Sequence, residues 1–105
     1  MKYITSKSEF DSTIAETKTL IVVDFWALWC GPCRKVEAIF NELDEQYKDE
    51  VMFIKVNVDD GGDIAAAASV RSIPSFHYIK NGQTIDRIDG AVSKYTLEQK
   101  IDQHK

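Results

Sequence analysis

Apolar and polar positions follow two rhythms along this chain, and the changes from one to the other mark its elements. "KYIT" is a short β-branched and aromatic segment, and "EFDSTIAET" spaces Phe10 and Ile14 on one helical face behind a cap at Ser6 or Ser8. "LIVVDFWA" is a continuous apolar run broken by one acid, Asp24, the composition of a central strand buried on both faces. From Pro32 onward Val36, Ile39, Phe40, Leu43 and Tyr47 recur at three- and four-residue steps against a polar opposite side, which predicts an amphipathic helix. "VMFIKVNV" predicts a second buried strand, and "DDGGDIAAAASV" a turn, a cap at Asp60 or Asp63 and a short alanine-rich helix. "SFHYIK" and "QTIDRI" flank Asn81-Gly82, the strongest hairpin signal in the chain, and Gly90 ends it. "SKYTLEQKIDQHK" closes with a helix capped by Ser93. The order is β-α-β-α-β-α-β-β-α, an α/β chain whose alternating first part favours parallel strand pairing.

A length of 105 residues, without linker, repeat or low-complexity segment, predicts one domain over residues 1–105. Hydrophobic residues make up 44% and charged residues 29%, the balance of an ordinary packed protein. The net charge of −4 argues against a phosphate-binding surface, so nucleic acid is not an expected partner. The opening "MKYITSKSEF" has no apolar leader pattern, and every apolar run falls short of the roughly 18 residues of a membrane span. A cytoplasmic protein with no membrane partner is the expectation.

Both cysteines lie in one stretch, "ALWCGPCRK", between a predicted strand and a predicted helix. Tetrahedral zinc needs a further Cys or His pair, and the only histidines are His77, in a strand pattern, and His104, at the C-terminus. No metal site is expected. A disulfide across so small a loop removes little unfolded-state entropy, which weakens the reading as a structural staple. A reactive pair accounts for the neighbours. A helix beginning near Cys30 would set its unpaired N–H groups and positive dipole end beside that sulfur and stabilise the thiolate. Cys30 is then the nucleophile and the more exposed thiol. Pro32 suits a first helical turn, Gly31 lets the backbone turn while leaving the sulfur approachable, and Cys33 lies one turn inside, placed to resolve a mixed disulfide.

With "VDFWALWCGPCRKV", "KVNVDD", "VRSIPSF" and "KNGQTIDRIDGA" in this order, the chain resembles the thioredoxin family over essentially its whole length. The resemblance implies a central five-stranded mixed sheet flanked by four helices, a reversible Cys30–Cys33 dithiol/disulfide and the reduction of disulfides in client proteins. It implies no bound cofactor, and recycling by thioredoxin reductase or an equivalent electron donor. It sets Asp24 beneath Cys33 as proton acceptor, with Lys55 close to the acid. It makes Pro74 a cis-proline facing the disulfide, leaves the Ile73 backbone free to pair with a client strand, and gathers Trp29, Ile73, Pro74, Gly90 and Ala91 into a shallow apolar surface around Cys30.

Taken alone, the residues leave room for blander roles: Asp24 as a buried acid satisfied by a hydroxyl or water, Lys55 as a solvated lysine, Pro74 as a loop proline, His77 as a strand residue facing solvent or a polar partner, Trp26 as packing. Three positions depart from the family pattern. Leu28 replaces a commonly polar residue, Ala68 a frequent aromatic, and Asp89 a common valine. Leu28 enlarges the apolar rim, and Asp89 is expected to add charge near the docking surface. A disulfide oxidase or isomerase, and a scaffold that uses the same surface without chemistry, are the rival functions.

Overall fold

β2 (Leu20–Trp26) lies between a parallel neighbour, β3 (Val51–Asn57), and an antiparallel one, β4 (Ser75–Lys80), in a computed structural model that describes all residues from Met1 to Lys105. β1 (Lys2–Tyr3) pairs with β3 at one edge and β5 (Gln83–Asp89) with β4 at the other, giving the five-stranded order β1-β3-β2-β4-β5. Four helices connect the strands: α1 (Lys7–Glu16), α2 (Gly31–Tyr47), α3 (Gly62–Ala67) and α4 (Lys94–His104). This is the mixed sheet flanked by four helices that the resemblance implied.

Strand alternation divides the core into two layers. Leu20 and Val22 of β2, with Val51 and Phe53 of β3 and Phe76 and Tyr78 of β4, pack against Val36, Phe40 and Leu43 of α2 and Leu97 and Ile101 of α4. Ile21, Val23 and Phe25 face the other way, with Ile54 and Val56, towards Phe10 of α1 and Ile64 of α3. The same parity fixes the direction of two charged residues: Asp24 continues the Leu20–Val22 row and Lys55 the Val51–Phe53 row, so both belong to the face that α2 covers.

Capping follows the sequence at three ends out of four. The Ser6 and Ser93 hydroxyls accept from the Glu9 and Thr96 N–H groups at 3.3 and 3.2 Å. At α3 the expected Asp60 or Asp63 cap is not what forms: Gly61 is the N-cap, and Asp63 instead accepts from the Ile64 N–H at 2.9 Å. A Cβ on Gly61 would meet Val56 Cγ1 at 2.9 Å, so the close approach of helix and strand selects glycine over a capping side chain. In the hairpin Asn81 and Gly82 both take positive φ, +54° and +77°, which matches the right-handed twist of β4 and β5. No helix is long and apolar enough to cross a membrane.

Phe40 ties α2 to two strands of this layer: it is fully buried, with its ring 5.3 Å from Phe53 and 6.0 Å from Phe76. Phe40→Ala is expected to lower unfolding free energy by about 3–5 kcal/mol. Urea titration checks this, and a loss under about 1 kcal/mol would show that α2 is held chiefly elsewhere.

Candidate active site

β2 ends at Trp26, and four residues later the chain enters α2 with Cys30 as its N-cap in extended conformation. The Cys33 N–H donates to Cys30 Sγ at 3.2 Å, so the sulfur takes the place a serine or aspartate oxygen holds in an ordinary cap. Pro32 stands in the first turn, where its missing N–H costs nothing. Cys30 and Cys33 are joined in a disulfide with their Cα atoms 5.3 Å apart. Gly31 and Pro32 between them are exposed, and a Cβ on Gly31 would meet nothing within 4 Å.

The expected difference in exposure between the two sulfurs does not appear in this oxidised form. Cys30 is 4% and Cys33 3% accessible, because Ala27, Trp26, Val58 and Ile73 close around both. What separates them is environment. Cys30 Sγ lies 3.8 Å from the Ile73 carbonyl, at the loop that leads into β4. Cys33 is buried on the α2 face that carries Val36 and Phe40, and Glu37, one turn further along that helix, reaches Lys55 at 3.8 Å.

Asp24 is 1% exposed, and neither carboxylate oxygen has a hydrogen-bond partner. Burial raises its pKa to about 7; Lys55 opposes the rise and Glu37 adds to it. Lys55 is directly opposite Asp24 in the β2–β3 register, and its ammonium lies 4.4 Å over the Trp26 ring and 3.8 Å from Glu37. At 3% exposure it is not the solvated lysine that one reading of the sequence allowed. Trp26 is thus packing for the cation, as well as for the core.

The residues expected to form the apolar surface differ in their surroundings. Trp29, 70% exposed, and Ile73 share a groove of about 350 Å³ with Val58, Ala65, Val70, Arg71 and Ser72. Pro74 is buried, with a cis Ile73–Pro74 bond, and its carbonyl accepts from the Gly90 N–H at 2.7 Å. Ala91 follows on the exposed side and does not line the groove. Leu28 is 70% exposed and lines a separate cavity with Tyr3, Trp26, Lys55 and Asp60.

Asp59, Arg71 and Ser72 had no signal in the sequence that singled them out, and Asp89 stands differently from its expected place. Asp59 accepts from the Trp29 indole N–H at 3.0 Å and fixes that ring; its acidic neighbour Asp60 made the pair look like a turn and cap. Arg71 and Ser72 enter the groove only because α3 ends where it does. Asp89 is not a free rim charge: it accepts from the Ser75 hydroxyl at 2.7 Å and from Arg87 at 3.0 Å, and these two bonds, the serine first, hold its carboxyl below the usual range. His77 is buried, with Ser75 as its polar partner at 3.0 Å.

The family model described as Thioredoxin matches residues 2–103. Thioredoxin of Ictalurus punctatus is 49% identical over 88 residues, spanning 82% of this chain and 80% of the relative. Thioredoxin 1 of Synechococcus elongatus is 42% identical over 95 residues, spanning 90% and 89%. The X-ray structure of Fasciola hepatica thioredoxin superposes with a TM-score of 0.94 at 40% identity, with all of both chains covered.

A carboxyl whose pKa rises from 3.8 to about 7 on folding gives a signed pH dependence. Between those values the native state keeps a proton that the unfolded chain has lost, so this group's contribution to stability falls as pH rises through that window and is constant above it. Asp24→Asn is therefore expected to match the wild type in stability near pH 3 and to exceed it by roughly 2–4 kcal/mol at pH 8. Urea unfolding of both proteins at pH 3, 5 and 8 tests this, and a difference that does not change with pH would place the titration on another group.

Proposed function

The chain belongs to the thioredoxin family, and from that premise we propose that it reduces disulfides of client proteins through a Cys30–Cys33 dithiol/disulfide cycle. The Cys30 thiolate attacks one sulfur of a client disulfide, forming a mixed disulfide and expelling one client thiolate. The Cys33 thiolate then attacks Cys30 Sγ, forms the Cys30–Cys33 disulfide and releases the second client thiol. Two electrons pass from the dithiol to the client. The observation that carries the reading is the sulfur cap: the Cys33 N–H already points at Cys30 Sγ at 3.2 Å, at the positive end of a 17-residue helix. A thiolate there is stabilised by the dipole and by a directed hydrogen bond.

Asp24 serves as the proton acceptor for Cys33. It belongs to the face that α2 covers, has no competing hydrogen bond, and has a pKa near 7, where it can take and return a proton. Lys55 moderates that pKa by attraction. Clients dock as an extended strand along the Ile73 backbone, beside Trp29 and over Gly31 and Pro32, with Pro74, Gly90 and Ala91 shaping the far side. Main-chain pairing supplies affinity without demanding one client sequence. The oxidised protein is returned to the dithiol by thioredoxin reductase or an equivalent donor, which makes it an electron carrier for cell redox balance in the reducing cytoplasm.

Insulin reduction driven by dithiothreitol tests the proposal. The wild type is expected to accelerate precipitation of the insulin B chain, Cys30→Ser to abolish the effect, and Cys33→Ser to accumulate a mixed disulfide through Cys30. A Cys30→Ser protein as active as the wild type, or a Cys33→Ser adduct attached elsewhere, would overturn the assignment of roles.

A further inference from the structure

The loop that carries Ile73 runs from the end of α3 to the start of β4, and Arg87 holds its first end directly and its second through Asp89 and Ser75. Arg87 of β5 donates from Nη1 to the Ala68 carbonyl at 3.3 Å and from Nη2 to the Ser69 carbonyl at 3.4 Å. These two carbonyls lie at the C-terminal end of α3, where a cation is favoured by the dipole and by unpaired acceptors. Ser69 has φ +57°, a left-handed conformation that a residue with a Cβ seldom holds without support. The same Nη2 donates to Asp89 Oδ1 at 3.0 Å, and that oxygen accepts from the Ser75 hydroxyl at 2.7 Å.

Ser75 is the residue directly after Pro74. Its only hydroxyl proton goes to Asp89, so its contact with His77 Nε2 at 3.0 Å requires that nitrogen to donate. Burial and the neighbouring Arg87 lower the His77 pKa to about 4, so the ring is neutral at working pH and is suited to that bond. The chain of contacts therefore runs from the end of α3 through Arg87, Asp89 and Ser75 to His77 within the sheet. Residues 70–74 lie between its two anchor points.

We propose that Arg87, acting through Asp89 and Ser75, is a positioning residue that holds the Val70–Pro74 loop in the conformation that polypeptide disulfides dock against. The proposal rests on the docking mode given above. A loop ordered in advance spares the client the entropy of ordering it, so the benefit appears in KM for large substrates. A small disulfide that needs only the sulfurs gains nothing from the loop.

Arg87→Leu is expected to raise KM for insulin about three- to tenfold, with kcat within about twofold of wild type. The rate with a small aromatic disulfide stays within about twofold, because the sulfur cap is untouched. Amide exchange should quicken in residues 70–75 and not in β2 or β3, which separates loop release from general loss of stability. Arg87→Lys keeps the charge but cannot fork to two carbonyls and Asp89 together, so its KM should fall between the two proteins. It also carries the test if the leucine variant does not fold: an unchanged KM in the lysine protein would then refute the clamp. With a folded Arg87→Leu, unchanged KM and exchange, or equal losses on insulin and the small disulfide, refute it as well. A wild type that fails to reduce insulin overturns the docking reading beneath it, and the clamp with it.

Discussion

β2 is hydrogen-bonded along its length to β3 on one side and β4 on the other, and both of its faces are covered by helices. That double burial is the constraint from which the sulfur chemistry follows. A strand fixed on four sides delivers its last residues at one place, and α2 must begin just beyond them because Trp26 and Ala27 are already packed. The first turn of α2 therefore opens beside the Val70–Pro74 loop and above the end of β2 and β3. Cys30 meets Ile73 and Glu37 reaches Lys55 for one common reason: the position of a helix whose Val36, Phe40 and Leu43 have no other apolar surface to cover.

The same burial makes Asp24 costly. An unpaired carboxylate within an apolar layer is disfavoured, and here it is answered by protonation near neutral pH and by an opposed lysine, in place of a salt bridge at contact distance. Lys55 divides its ammonium between the face of Trp26 and Glu37, so it acts on Asp24 through space. A direct hydrogen-bonded pair would lower the acid's pKa and leave it a poor proton acceptor at pH 7. The looser arrangement keeps the acid titratable, while the surrounding aromatic and aliphatic packing carries the stability it gives up.

Near Trp29 and the loop that carries Ile73 the polar contacts come from a different set of residues. Asp59 orients the Trp29 ring from the β3–α3 turn, and Arg87, Asp89 and Ser75 connect the end of α3 to the residue after Pro74. Charge at Asp89, which on its own suggests a rim that steers partners, is spent inside this chain of hydrogen bonds. Leu28, by contrast, remains 70% exposed and enlarges the apolar area near the motif.

Local order was legible in the sequence wherever it depends on neighbours along the chain. Strand and helix order, the Asn81-Gly82 turn, the Ser6 and Ser93 caps and the sulfur at the head of α2 all follow from side-chain periodicity, φ preference and short-range hydrogen bonds, which act over a few residues. Where neighbours across space decide, the sequence was silent or misleading. Gly61 displaces the aspartate caps because Val56 of another element is too close, and Cys30 is as buried as Cys33 because Ile73 and Val58 fold over it. Lys55 leaves solvent because α2 covers its row, and Asp89 is bound to Arg87 and Ser75, two and fourteen positions away, because β4 and β5 pair in one register. Spacing along a strand tells which face a residue takes; only the packed sheet decides what stands opposite it.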